Sequence, residues 1–527
     1  MIRPAAILAL LACNASCASA QPSRAKHVGP RPTLVVLLTL DQFRGDYLER
    51  FGPQLTGGLA RLTHGGAWFT NAHQDHAITE TAPGHSTLLS GRFPRSTGIM
   101  ANRVGVEDAN EQLVGLPNEP GASPRRFRGS TLVDWLHASD SHSRALSVSM
   151  KDRGAILPIG RSRQQVYWYE PEGVFTTSHY YTDTLPEWVA RFNGQHLPQK
   201  YAGHSWTLLL PDSAYHEPDD VGVEAGGNGF VFPHPLPADS AQAASLVRVT
   251  PWMDELVLAL ALDGVNAMSL GAGPGTDVLA VSLSATDVIG HRFGPDSREM
   301  HDQVLRVDRA LGVFLDSLFR MRDSSRVAVV LAADHGVGTI PELVSDSVPP
   351  PTRVSLDAVV IDVMKKLQAL HIRPDAFDLD QQVVVLDRPE LRQHHVNIDS
   401  LLAAFAVAAR KQPGVRRVDR FADLWRADTV HDAIARRWTH QFPIESPVEL
   451  VVTLSPFSTW GGNTASHGSP YDYDSHIPLI FYGAAFKAGR YGAFVRSVDI
   501  APTLADLLGV PPTQPLDGVV LKMAFKE

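Results

Sequence analysis

The sequence predicts an α/β protein: a doubly wound, mostly parallel sheet with helices on both faces, carrying an inserted cap and an inserted α+β subdomain. Three observations predict it. Three unbroken aliphatic runs, TLVVLLTL (33–40), DVLAVSLSAT (277–286) and RVAVVLAA (326–333), read as strands buried on both faces, as parallel strands between helices are. Each run is followed at once by an aspartate: Asp41, Asp287 and Asp334. Open α/β sheets bind ligands at the carboxyl ends of their strands, so three acidic residues at three such ends predict one shared rim. Helical patterns alternate with the runs, as in the stretch 298–319 before the strand at 326.

Taken in order, residues 1–20 read as an export signal. Arg3 gives a positive start, Ala5 to Ala12 an apolar core, and Ala18-Ser19-Ala20 a cleavage site before Gln21. Leu10-Leu11-Ala12-Cys13 also fits a lipoprotein box, which leaves a form anchored by lipid at Cys13 open. The expected location is periplasmic or secreted, with an outer-membrane lipoprotein as the other outcome. Residues 21–31 form a polar linker, and a single large domain covers 32–527. Its first strand is 33–40, a helix starts near Asp46, and the run ALSVSM (145–150) is a further strand that delivers Lys151-Asp152-Arg153-Gly154. From about 160 to 250 the texture turns to Tyr, Trp, Pro and Gly, which predicts a cap over the rim. Strand and helix alternation resumes at PWMDELVLALALDGV (251–265). SDSVPPPTRVS breaks it after Val344, and about 345–455 reads as helix, strand, helix and strand, an α+β insertion. Residues 476–527 return to the main sheet. No run after the signal reaches the roughly 18 apolar residues of a membrane span.

Hydrophobic content of 44% and charged content of 20% are those of a globular protein, and a net charge of -9 argues against a nucleic-acid partner. An acidic protein can still take an anionic substrate where metal ions supply local positive charge. Both cysteines, Cys13 and Cys17, fall in the signal, so a metal site in the rest of the chain must use oxygen and nitrogen.

The candidate chemistry lies at the rim. Asp287 and His291 stand at i and i+4, so both can reach one ion. Asp334-His335 are adjacent, with Gly336 letting the backbone turn, and Asp41 ends the first strand. His467 lies in a Gly-rich loop; His476 competes with it but directly precedes the strand IPLIFYG and is read as structural. Three Asp and three His suffice for two divalent ions. A hydroxyl nucleophile is sought in Thr79-Glu80-Thr81-Ala82-Pro83-Gly84-His85-Ser86-Thr87. Pro83 suits a first helical turn, whose N–H groups would face an anion. Asn102, Lys151 and Arg153 are the candidate anion binders, Arg offering a planar fork suited to phosphoryl oxygens.

Together these strings resemble the alkaline phosphatase superfamily, in its type I phosphodiesterase and nucleotide pyrophosphatase branch, and within it the secreted, phosphate-irrepressible bacterial alkaline phosphatases that use a Thr nucleophile. The motifs are LTLDQFRGDYL (38–48), TAPGHSTLLSGRFPRSTGI (81–99), SMKDRGAI (149–156), DVIGHRFGP (287–295), ADHG (333–336) and SHGSPYDYD (466–474), in family order over nearly the whole chain after the signal. The resemblance implies two zinc ions, one held by Asp287, His291 and His467, the other by Asp41, Asp334 and His335 with Thr81 Oγ as its reacting ligand. It further implies that Thr81 is phosphorylated and then hydrolysed, while Asn102, Lys151 and Arg153 grip the phosphoryl oxygens. No acidic set for a third, magnesium site is evident. The expectation is a monomeric phosphatase for small phosphate monoesters. A phosphodiesterase or nucleotide pyrophosphatase on the same scaffold is the alternative, and a non-catalytic metal-stabilised binding protein is a third reading.

Overall fold

A computed structural model describes residues 29–527. The expected signal, the lipoprotein box and most of the 21–31 linker lie outside the described residues. Nine strands form the central sheet: β1 (Leu34–Leu40), β2 (Ala67–His73), β3 (Ala145–Ser149), β4 (Gln165–Glu170), β5 (Val174–Thr176), β6 (Asp277–Leu283), β7 (Val327–Ala332), β8 (His476–Tyr482) and β9 (Gly489–Arg496). Their order is β9-β2-β8-β7-β1-β6-β3-β4-β5.

The three aliphatic runs are neighbours at the centre. β1 pairs in parallel with β6 on one side and β7 on the other, with Thr39 level with both Ser282 and Ala332. This register brings the three strand ends to one level, and the Asp41 N–H still donates to the Leu283 carbonyl at 2.9 Å. Every residue of β1 is buried, the expected state of a middle strand covered by helices on both faces.

Most of the sheet is parallel, but β8 runs against both of its neighbours, β7 and β2. Its first residue therefore lies at the carboxyl-end rim, and the loop before it carries His467 to that rim.

The helix Arg298–Met321 follows the Asp287–His291 segment, with the Ser297 hydroxyl accepting from the Met300 N–H at its start. It crosses the helix Gly58–Gly65 where that helix has no side chain. A Cβ on Gly57 would stand 2.2 Å from the Asp308 carbonyl oxygen, so glycine sets the approach. Asp308 in turn accepts from the N–H groups of Thr56, Gly57 and Ala60.

The segment from about 160 to 250 differs in part from its expected role as a cap alone. Its first residues form β4 and β5, which extend the main sheet at the edge opposite β9. These strands are built of Val, Tyr, Trp and Phe, so no aliphatic run marks them. The rest, including the helix Glu187–Asn193, runs as short pieces and loops.

Between 345 and 455 the chain forms a separate four-stranded antiparallel sheet in the order Phe377–Asp380, Val383–Leu386, Val448–Leu454, Val415–Arg420. The helices Asp357–Ala369 and Ile398–Ala409 pack on it through Val359, Val363, Leu402 and Phe405, a core separate from that of the main sheet. A smaller cluster around Phe421 and Trp438 joins this unit to Ala77 and Ile78, just before Thr81.

Candidate active site

Five strand ends build the site. Asp41 follows β1. Asp287 and His291 lie on the helix Ala285–Phe293 after β6, and Asp334-His335 follow β7. Lys151 follows β3, and His467 precedes β8. Thr81 is the first residue of the helix Thr81–Leu88, with Pro83 in its first turn as the sequence implies. That helix is buried along its whole length.

The imidazoles are oriented by their far nitrogens. His291 Nδ1 lies 2.9 Å from the Ala465 carbonyl, His467 Nδ1 2.8 Å from that of Thr79, and His335 Nδ1 2.9 Å from that of Gly336. A carbonyl only accepts, so each Nδ1 carries a proton, and in the neutral ring each Nε2 presents a lone pair. All three lone pairs face one region. His291 Nε2 and His467 Nε2 stand 3.1 Å apart, and 3.4 and 3.6 Å from Asp287 Oδ1. His335 Nε2 lies 3.5 Å from Asp41 Oδ1, 3.6 Å from Asp334 Oδ2 and 3.5 Å from Thr81 Oγ1. Two lone pairs 3.1 Å apart repel unless a proton or a metal ion lies between them. Asp41 Oδ1 is fully buried and receives no hydrogen bond among the described residues. The ligand atoms of Asp287, His291 and His467, and those of Asp41, Asp287 and His335, fall within 4.8 Å of one another, and each set can hold an ion. The donors are carboxylate oxygen and imidazole nitrogen, a set that suits zinc.

The electrostatics agree. Burial, with the charges of Asp287 and Asp334 added, pushes the Asp41 carboxyl well above its ordinary range. Burial also acts to raise Asp287, but Lys151 and the three histidines outweigh it and hold that carboxyl well below. Burial and the neighbouring His335 and His291 keep His467 neutral far below the usual imidazole range. Three buried carboxylates and three imidazoles that converge on one region make a site that cations stabilise.

Lys151, a candidate anion binder, has its Nζ 2.7 Å from Asp41 Oδ2 and 2.6 Å from Asp287 Oδ2, and 3.5 Å from Thr81 Oγ1. Buried carboxylates draw the nearest cation, and their charges raise the Lys151 pKa against the opposing effect of burial. Arg153 is in the helix Asp152–Ile156, not in continuation of the strand, so its relation to Lys151 is that of a helix start. Its N–H and Nη1 reach Asp152 Oδ1, while Nε is buried without a partner among the described residues. Asn102 lies beside the nucleophile candidate: its Oδ1 accepts from the Ala82 N–H at 2.8 Å.

A model of the type I phosphodiesterase / nucleotide pyrophosphatase family matches residues 35–450. The chain belongs to that family. Within it, the chain is 31% identical to "Alkaline phosphatase PafA" of Elizabethkingia meningoseptica, over 91% of this chain and 92% of that one. It is also 31% identical to "Alkaline phosphatase PhoV" of Synechococcus elongatus, over 95% and 96%. The crystal structure of wild-type alkaline phosphatase PafA superposes with a TM-score of 0.87 at 29% identity, covering 94% of this chain and 99% of that one. A murine ectonucleotide pyrophosphatase / phosphodiesterase 5 structure, at 16% identity and a TM-score of 0.52, shares the fold.

Three residues of this family member's site escaped the sequence reading. Gln42 adopts φ 62°, a left-handed conformation costly for a residue with a side chain. From there its N–H donates to Asp334 Oδ1 at 3.1 Å and its Nε2 to Asp287 Oδ1 at 2.9 Å, tying two carboxylates together. His85 is fully buried, with Nδ1 2.9 Å from the Thr81 carbonyl and 3.1 Å from Asp334 Oδ2, and Nε2 2.8 Å from Ser282 Oγ. Glu80 accepts the Asn102 N–H at 2.7 Å and so fixes the turn that presents Asn102. The i, i+4 spacing of Thr81 and His85 was the available signal for the second; Gln42 and Glu80 carried none. His476 faces away from the cluster: its Nε2 bonds the Thr70 carbonyl at 2.9 Å and its ring lies 5.3 Å from that of His73.

Proposed function

We propose that this phosphoric monoester hydrolase is a two-zinc alkaline phosphatase that works through a phosphothreonine at Thr81. The observation that carries the reading is the convergence of three Nε2 lone pairs and three carboxylates beside the Thr81 hydroxyl at the start of a helix. Asp287, His291 and His467 would hold one ion; Asp41, Asp334 and His335 would hold the other, with Thr81 Oγ completing it. When bound, zinc supplies Lewis acidity that favours the alkoxide and offsets phosphoryl charge.

The chain's own residues do the rest. Thr81 Oγ attacks phosphorus in line, and the leaving alcohol departs opposite. Water then attacks the phosphothreonine from that same side, releasing phosphate and the free hydroxyl. Glu80 holds the Asn102 backbone N–H and the Ala82 N–H holds the Asn102 side-chain Oδ1, so that its Nδ2, on the other side of the amide, is free to donate to a phosphoryl oxygen. Lys151 and Arg153 supply positive charge to the remaining oxygens, Lys151 once cations relieve it of its carboxylate partners. His85 and Gln42 set the geometry of Thr81 and the carboxylates.

The alternative, a diesterase, is favoured by the family model's own description. Lys151, 3.5 Å from the Thr81 hydroxyl, and Arg153 two residues on support the monoester, whose dianion has one more charged oxygen to place. The test has two parts. Active protein is analysed for metal, and about two zinc per chain, lost together with activity on chelation, are expected. Acid-quenched enzyme and aryl phosphate are then digested and mapped for phosphate, expected on Thr81. Full turnover by metal-free protein, or phosphate trapped on Thr79 or Ser86, sinks the reading. Export from the cytoplasm, also proposed, is checked by N-terminal sequencing of the native protein: Gln21 or a lipidated Cys13 is expected, and Met1 would refute it.

A further inference from the structure

Two glutamines of the inserted α+β unit reach across to the active site. Gln382 lies in the turn between the strands Phe377–Asp380 and Val383–Leu386, and Gln441 ends the helix Ala433–Gln441. Both are withdrawn from water: Gln382 is 3% exposed and Gln441 0%. A buried amide needs hydrogen-bond partners, and these two find theirs on the main domain. Gln382 Nε2 donates to the Gly468 carbonyl at 2.7 Å. Gly468 directly follows His467 and turns the chain at φ 99°, a conformation that favours glycine. Gln441 Oε1 accepts the Ile78 N–H at 2.8 Å, three residues before Thr81. Its Nε2 donates to the Met100 carbonyl at 2.6 Å, two residues before Asn102.

Three segments are therefore bonded to one inserted unit: those of the nucleophile candidate, of the candidate phosphoryl-binding amide and of one candidate metal ligand. Other bonds join the three segments to one another. His467 Nδ1 meets the Thr79 carbonyl at 2.8 Å, Thr79 Oγ1 donates to the Ser469 carbonyl at 3.0 Å, and the Asn102 N–H donates to Glu80 at 2.7 Å. The glutamines differ from these because they tie the segments to a unit with a hydrophobic core of its own. The same turn also offers Asp380 to Arg103, but Arg103 is 58% exposed, and such a surface ion pair contributes little. We propose that the inserted unit positions the active site, Gln382 setting the place of His467 and Gln441 that of Thr81 and Asn102. This rests on the two-zinc, phosphothreonine reading above. Each glutamine acts through the backbone of another residue, so both are positioning residues. A site of this kind works only when its groups are held to about 0.5 Å by the residues behind them.

The two glutamines should move different observables. Gln382→Met keeps the length of the side chain and removes its donor. When zinc release to a chromogenic chelator is followed, one of the two ions should leave this variant about tenfold faster, and the other at its native rate. Gln441→Met should release both ions at native rates. Its single-turnover rate of Thr81 phosphorylation by a saturating aryl phosphate should fall about tenfold. Leu402→Val, which loosens the core of the inserted unit, is the control: it should lower the melting temperature and move neither observable. Where a methionine variant does not fold, the asparagine variant at that position, one methylene shorter, is measured in its place with the same expectation. Native behaviour of either glutamine variant in its own assay would overturn the proposal, as would a Leu402→Val protein that reproduces both losses. A native protein without two zinc ions, or without phosphate on Thr81, would strike the reading beneath the proposal and the proposal with it.

Discussion

Gly84 offers the sharpest test of how closely the site is built. The helix that begins with Thr81 rests against the Asp334 backbone, and Gly84 is the point of contact. A Cβ there would stand 2.2 Å from the Asp334 carbonyl oxygen and 2.8 Å from both its carbonyl carbon and its Cβ. The obstruction is backbone, so no rotamer change relieves it. Ordinary van der Waals contact begins at 3.4 Å, so in Gly84→Ala the helix and Asp334 must part by about 1.2 Å. Overpacking of this kind costs about 1–3 kcal/mol of stability. Its larger effect falls on function, because it separates Thr81 from Asp334 and His335 together. A misplacement of about 1 Å lowers rate by roughly 10²-fold, and that is the loss expected in kcat/KM on an aryl phosphate. Gly273→Ala is the control: nothing lies within 4 Å of its added Cβ. The variants are compared by turnover, zinc content and thermal melting. A folded Gly84→Ala protein with turnover within threefold of native would show that the helix tolerates the shift, and the reasoning would fail.

Thr81→Ala should abolish the phosphorylated peptide and most turnover, while Thr81→Ser keeps a measurable part of it, as stopped-flow and digestion mapping would show; equal activity in both would remove Thr81 from the mechanism. Replacing both Lys151 and Arg153 with Ala removes two charged contacts worth about 1.5–3 kcal/mol each, so the monoester should lose roughly 10²–10⁴ in kcat/KM and the methyl diester far less. Equal factors on the two substrates, at equal zinc content, would defeat the selectivity argument. Asp254 is buried beneath the Asp287 helix, where it accepts from the Ala285 N–H at 3.1 Å and Gln303 Nε2 at 2.8 Å, and burial raises its carboxyl to about 7. From about pH 4 to pH 7 the folded protein keeps a proton there that the unfolded chain has released. Its contribution to stability therefore falls as pH rises through that window and is flat above it. Asp254→Asn should flatten the change in melting temperature between pH 5 and pH 8; an unaltered slope would count against it.

What the sequence made legible was whatever carried a physical signature of its own. β1, β6 and β7 announced themselves as aliphatic runs because a strand covered on both faces has no room for polar residues, and the aspartates after them marked the rim. The helix at Thr81 was legible through Pro83. β4 and β5 were not, because aromatic side chains and glycine-rich turns mark an edge strand no differently from a loop. The strand Val415–Arg420, read as VRRVDR, hid for a related reason: only Val418 of it is buried. Gln42 was hidden because its role depends on a backbone conformation that its residue type disfavours. Lys151 shows a different limit. Its place after β3 was readable, but its pairing with Asp41 and Asp287 follows from which strands lie side by side, and strand order is not written in any local pattern.

The strand that runs against its neighbours bears on how the molecule comes into being. His467 is made 386 residues after Thr81, and β8 must enter between β2 and β7, both completed long before it. Until then the growing chain holds a hydroxyl, three aspartates and two imidazoles without the last of the candidate donors, β7 ends the sheet as an open edge, and β2, whose neighbours are β8 and β9, has no strand to pair with. Pairing His73 with His476 closes a loop of some four hundred residues, which makes it a late event in assembly. A chain halted before that step lacks His467 and is marked, since open edges invite aggregation and proteolysis. One inserted strand then joins β2 to the sheet and brings the last imidazole to the rim.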